Sequence, residues 1–197
     1  MSDGITLFYR ASRTILRGLF GVLYRLEAEG MSHIPEQGPV VLCCNHISNL
    51  DPPLLGTPLR RKVHYMAKAE LFRIPVLSRM IVSYGAFPVK RGGVSKESIR
   101  AALKLLEEGK LLGIFPQGGR NQDIGMGKKG AASLALRSGA TVIPAAIIGT
   151  YTPFRKMKIV FGPPVDMAAY AEGSSDALEQ ATERIMEAIR NLSKSAG

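Results

Sequence analysis

Apolar residues along this chain follow two periods. Short runs rich in apolar residues at positions 40–44, 63–67, 86–89, 111–115, 142–148 and 158–161, with a weaker one near 24–28, read as buried strands. Between several of them the apolar positions recur at helical spacing. One such stretch covers 95–108 and is closed by Gly109; another covers 129–137 and is closed by Gly139. The tail over 176–192 places Leu178, Ala181, Ile185, Ile189 and Leu192 on one stripe, with Ser175 available as an N-cap. Strands alternating with helices predict an α/β fold: a single domain with a largely parallel mixed sheet flanked by helices.

The first residues carry a different pattern. Ile5, Phe8, Ile15, Leu16, Leu19 and Leu23 recur at helical spacing while Arg10, Arg13 and Arg17 gather on another face, which describes a basic amphipathic helix. Such a helix can lie in the head-group layer of a membrane with its arginines near lipid phosphates. It can equally be a surface helix that packs its apolar stripe on the domain. No segment reaches the roughly 18 uninterrupted apolar residues of a spanning helix, and no small-residue cleavage site ends a signal peptide. A peripheral protein is the expectation.

Composition narrows the partners. The 26 Lys and Arg against 16 Asp and Glu give a formal net charge of +10, which favours phospholipid head groups, phosphorylated metabolites or nucleic acid. Nucleic acid is disfavoured by the absence of Trp, an aromatic share of 7% and the lack of a helix-turn-helix or RNA-motif pattern. Cys43 and Cys44 are adjacent in an apolar run, so they make neither a disulfide framework nor a metal site, and a reduced, cytosolic setting follows. No metal is implied either, because His33, His46 and His64 form no ligand-spaced cluster with the cysteines. The phosphate loop of the nucleoside triphosphatases and the dinucleotide fingerprint are both missing, and Gly125-Met126-Gly127-Lys128-Lys129 reads as a flexible basic loop.

Candidate chemistry sits at strand ends, where open α/β sheets place their sites. Asn45-His46-Ile47-Ser48-Asn49-Leu50-Asp51 follows the run at 40–44. His46 and Asp51 are candidates for a base and its orienter, although five positions separate them and a turn must close the gap. Ser48 and Asn49 favour such a turn, and Asp51 before Pro52 resembles a helix cap with proline at the first helical position. The same residues also read as a plain cap and a loop histidine. Further on, Gly85-Ala86-Phe87-Pro88-Val89-Lys90-Arg91 and Phe115-Pro116-Gln117-Gly118-Gly119-Arg120 each place an arginine just past a strand, and Lys68 follows another. Arginine forks and glycine-rich backbone suit a phosphate.

These blocks, with Val142-Ile143-Pro144-Ala145-Ala146 and Ala67-Lys68-Ala69-Glu70-Leu71, resemble those of the 1-acylglycerol-3-phosphate acyltransferase (lysophosphatidic acid acyltransferase) family of the glycerolipid acyltransferase superfamily. The likeness runs over about residues 26–165. With the amphipathic pattern ahead of it, the expected division is a membrane-associating helix over 1–24 and a glycerolipid acyltransferase domain over 25–197. The resemblance implies that His46 deprotonates the acceptor hydroxyl, that Asp51 orients His46, and that Lys68, Arg91 and Arg120 hold the acceptor phosphate. Asn45, Gln117, Gly118 and Gly119 would line the same acceptor site. The implied reaction makes phosphatidic acid from lysophosphatidic acid and acyl-coenzyme A or acyl-carrier protein, with no other cofactor, at the cytoplasmic face of an anionic membrane. The family's third block usually reads Phe-Pro-Glu-Gly-Thr-Arg, so Gln117 and Gly119 depart from it. A different lysolipid acceptor, or a non-catalytic lipid-binding module, are the competing expectations.

Overall fold

Apolar runs too short for a helix are satisfied in a sheet covered on both faces. The computed structural model describes residues 2–89, 95–120, 124–125, 127–170 and 176–195, with side chains from Leu7 onward. Among them lie seven strands: β1 (Glu27–Glu29), β2 (Val40–Cys44), β3 (Val63–Lys68), β4 (Phe87–Val89), β5 (Leu111–Ile114), β6 (Thr141–Ile148) and β7 (Lys158–Phe161). They form one sheet in the order β1-β7-β6-β2-β5-β3-β4, and every neighbouring pair is parallel except β6 with β7. The described helices are α1 (Ser2–Tyr24), α2 (Asp51–Gly56), α3 (Pro75–Ser83), α4 (Lys96–Glu107), α5 (Gly130–Ser138) and α6 (Ala177–Ser195). This is the mixed, largely parallel α/β architecture that the alternating pattern predicts.

Two cores form because β2 alternates its side chains across the sheet. Val40, Leu42 and Cys44 join Phe20 and Tyr24 of α1 and Leu54 and Leu55 of α2 on one face. Val41 and Cys43 join Ala102 and Leu106 of α4, Ala131 and Ala135 of α5, and Ile185 and Ile189 of α6 on the other. Helix ends follow the expected chemistry: Ser95 caps α4 by accepting from Ser98 N, and Gly139 closes α5 with φ 63°.

Several boundaries differ from the sequence expectation. The weak strand near 24–28 is β1 at Glu27–Glu29, because α1 continues to Tyr24 and Arg25 then takes φ 45°. The 111–115 run stops at Ile114, and Phe115 leaves the ladder to pack at the site. Helix α3 was not expected from periodicity; its signals are Pro75 at the first turn and Gly85 beyond its end. Ser175 lies outside the described residues.

Gly113 in β5 deals with a close approach that sets up the site. A Cβ there would sit 2.4 Å from Tyr65 Cε1 and 2.9 Å from Val63 Cγ1, so the missing side chain leaves room for the Tyr65 ring to cross β5. Gly113→Ala is therefore expected to destabilise the fold by about 1–3 kcal/mol through overpacking. Urea unfolding measures this, and an unchanged midpoint would contradict the packing.

Candidate active site

The site begins where β2 ends. Its last residues pair with β6 up to Cys44 opposite Ala145. The next residue, Asn45, continues the pairing with its side chain: Nδ2 donates to Ile147 O at 2.9 Å, and Oδ1 accepts from Ile147 N at 2.7 Å. Asn45 is buried, so these bonds are shielded from water. Its amide is committed to the β6 backbone and fixes the point from which His46 departs.

The chain then turns back on itself. Asp51 Oδ2 accepts from Ile47 N at 2.6 Å, from Ser48 N at 2.8 Å and from His46 Nδ1 at 2.7 Å. This turn closes the five-residue separation. Asp51 is the first residue of α2, with Leu50 rather than Asp51 at the cap position; its carboxylate binds the amides of the preceding turn instead. The phenol of Tyr151 donates to the other oxygen, Oδ1, at 2.6 Å. Four donors thus supply the hydrogen bonds that a fully buried carboxylate needs.

Because a carboxylate only accepts, His46 donates from Nδ1, and its Nε2 carries the free lone pair. Nε2 has no hydrogen-bond partner among the described residues, and the side chain keeps 19% exposure. The imidazole stacks on Phe115 with centroids 4.2 Å apart. Phe115 lies nearly parallel to Tyr65 at 6.2 Å, and the Tyr65 hydroxyl donates to Pro52 O at 2.8 Å. The backbone N of His46 donates to Gln117 Oε1 at 2.9 Å, which ties the third sequence block to the first.

The buried thiols and phenols around the pair are uncharged. Burial pushes the Cys44 thiol and the Tyr65 phenol up, with the Asp51 charge adding to both. Burial and the bond to Asp51 push the Tyr151 phenol up as well. The Cys43 thiol is pushed up to about 12 by burial. Both cysteines are fully buried and protonated, so neither serves as a nucleophile.

Cations and glycines flank this centre. Gly118 has φ 67°, and the Lys128 side chain lies across it: an added Cβ would fall 2.5 Å from Lys128 Cε and 2.8 Å from Nζ. Gly119 and Arg120 are exposed in the same turn, and Lys68 is exposed at the end of β3. Arg91 lies outside the described residues. Sequence reasoning did not single out Tyr65 or Tyr151, and it quoted Phe115 and Lys128 without a role in the site. Tyr151 sits past the end of β6, and its proximity to Asp51 follows only once β6 is known to neighbour β2. Among the described residues no three His, Cys, Asp or Glu side chains gather for a metal.

Residues 25–148 match the family model described as Acyltransferase. The chain belongs to the acyltransferase family. It is similar to a 1-acyl-sn-glycerol-3-phosphate acyltransferase of Bacillus subtilis, 31% identical over 191 residues, covering 93% of this chain and 96% of that one. A protein of the same name from Borreliella burgdorferi is 28% identical over 177 residues, covering 88% of this chain and 70% of that one. The crystal structure of the 1-acyl-sn-glycerophosphate (LPA) acyltransferase PlsC from Thermotoga maritima shares the fold, with a TM-score of 0.70 at 22% identity over 98% of this chain and 79% of that one.

In this acyltransferase, position 117 offers an oxygen to the His46 backbone, and a glutamate can do the same. Gln117→Glu is expected to keep the transfer rate within about threefold, while Gln117→Leu, which leaves the amide unpaired, lowers it by about tenfold. Initial rates of acyl transfer check this. Equal rates for the leucine variant would contradict the role of that bond.

Proposed function

We propose that this acyltransferase moves an acyl group from acyl-coenzyme A or acyl-carrier protein to the free hydroxyl of lysophosphatidic acid, forming phosphatidic acid in phospholipid biosynthesis. The observation that carries this reading is the His46 imidazole, held by Asp51 through Nδ1 with Nε2 left open. The names of the Bacillus and Borreliella relatives support the acceptor.

His46 Nε2 takes the hydroxyl proton as the acceptor oxygen attacks the thioester carbonyl carbon. Asp51 stabilises the imidazolium that forms. The tetrahedral intermediate then collapses with cleavage of the C–S bond, and the leaving sulfur takes the proton back from the imidazolium. No cofactor beyond the donor's carrier is required. Arg120 and Lys68, with Arg91, supply cations for the acceptor phosphate, and the turn at Gly118 and Gly119 lets the lipid head group approach the backbone.

Helix α1 supports docking on an anionic membrane. Phe20 and Tyr24 enter the core, yet Leu7, Ile15 and Val22 are 70%, 68% and 70% exposed, with Phe8 and Leu19 also exposed beside them. Thus packing on the domain uses one apolar face and leaves another open. Arg13 donates to Thr57 O, while Arg10 and Arg17 complete the basic row. No helix among the described residues is long and apolar enough to cross a membrane. The reading is a peripheral enzyme at the cytoplasmic face.

A second reading keeps the chemistry and changes the acceptor. Among the described residues a Cβ at Gly119 would meet nothing within 4 Å, which supports a larger head group than a phosphomonoester at this turn. Comparing lysophosphatidic acid with other lysolipids separates the two.

His46→Ala is expected to lower turnover of lysophosphatidic acid by about a thousandfold with vesicle binding unchanged, since general-base catalysis supplies effects of that order. Full turnover in that variant would sink the reaction assigned to this site. Replacing Ile15, Leu19 and Val22 together by Ser is expected to weaken vesicle co-sedimentation by about tenfold through lost apolar burial. Unchanged co-sedimentation would contradict docking through α1.

A further inference from the structure

Tyr151 stands in the segment between β6 and β7, and groups other than the catalytic pair hold it there. Phe154 N donates to Leu23 O, and Met157 N donates to Tyr24 O at 2.8 Å, so the segment is fastened to the last turn of α1. These bonds satisfy carbonyls that the helix end leaves open. The Tyr24 ring meets the Tyr151 ring edge-on with centroids 5.4 Å apart. The place of the Tyr151 hydroxyl is therefore set by α1 and by the start of β7.

From that place the hydroxyl reaches Asp51 Oδ1 at 2.6 Å. Oδ2 takes three donors, from His46, Ile47 and Ser48. Oδ1 has Tyr151 as its one donor among the described residues, and Asp51 is fully buried, so loss of the phenol leaves a buried oxygen unpaired. A hydrogen bond donated to one carboxylate oxygen also withdraws charge from the other.

We propose that Tyr151 is a positioning residue of the His46–Asp51 pair. Its hydroxyl fixes the rotation of the carboxylate so that Oδ2 stays on His46 Nδ1, and it lowers the charge that Asp51 presents to the imidazolium. The base accepts the acceptor proton and still releases it to the leaving sulfur. The proposal rests on reading His46 as the base of acyl transfer.

The sign of the effect follows from the charges. A carboxylate beside an imidazole stabilises its protonated form, and a donor on that carboxylate weakens the stabilisation. Removing the donor raises the pH at which His46 loses its proton. The other titratable groups that feel Asp51 are Cys44 on β2 and Tyr65 on β3, Tyr24 on α1 touches Tyr151, and the charged side chains at the adjoining strand ends and loop, Lys68, Arg120 and Lys128, are exposed. Cys44, Tyr65 and Tyr151 are all pushed up, so they stay neutral while the imidazole titrates.

The test follows the His46 ring by NMR as the free protein is titrated, a measurement that needs no acceptor. Tyr151→Phe is expected to raise the midpoint on the order of half a pH unit, and the acid limb of kcat/KM should rise with it. At the plateau, kcat is expected to fall by about tenfold with KM for the acceptor within about twofold. Site-specific 3-fluorotyrosine at position 151 keeps the ring and strengthens the donor, so it should move the midpoint the other way even if the phenylalanine variant folds poorly. A midpoint unmoved in the fluorotyrosine protein and in folded Tyr151→Phe would overturn the proposal and leave the acyl-transfer reading intact. Shifted midpoints in a protein that transfers no acyl group would instead keep the Tyr151–Asp51–His46 linkage and discard the transfer reading.

Discussion

Asp51 is a carboxylate with no exposure to solvent, and burying such a group without partners costs several kcal/mol. The fold meets that demand with four donors drawn from three places: the imidazole of His46, the amides of Ile47 and Ser48, and the phenol of Tyr151. Three of these donors are local and come together as the chain turns after β2. The phenol comes from a hundred residues away and reaches Asp51 only when β6 lies beside β2. Burial of one carboxylate thereby links the local turn to the completed sheet, and it leaves His46 with a single free nitrogen.

The sheet delivers these groups by register. Asn45 extends the β2–β6 pairing by one side-chain rung, so His46 emerges at a fixed height above β6. β5 lies on the other side of β2, and its continuation supplies Phe115 under the imidazole and Gln117 against the His46 backbone. Gly113 lets Tyr65 cross β5 and stack near Phe115. Helix α1 enters the same arrangement, since Tyr24 touches Tyr151 while the opposite side of the helix remains apolar and open. The helix proposed to meet lipid is thus one aromatic contact and one hydrogen bond from the carboxylate.

Much of this was legible in the sequence, for identifiable reasons. The apolar run of β2 is fully buried and that of β6 is buried except at its ends, so their strand character shows in composition alone. His46 and Asp51 are close in sequence, and turn-forming Ser48 and Asn49 announce the bend between them. Tyr151 was not legible, because nothing local distinguishes it from any tyrosine in a loop; its role depends on strand order. Helix α3 was missed because its nine residues are short and much of its surface is exposed, which blurs the period. Asn45 stood among the acceptor-lining residues on resemblance, and its amide faces Ile147 in the structure, a distinction only coordinates make.

The central claim is that His46 acts as a base in a direct transfer and forms no bond to the acyl group. Intact-protein mass spectrometry during a single turnover with a labelled acyl thioester tests this, with and without the lysolipid acceptor. The account predicts an unmodified chain at every time point, with label passing straight to the lipid. An acylated chain that forms without acceptor and then transfers its label to lipid at the rate of turnover would contradict it.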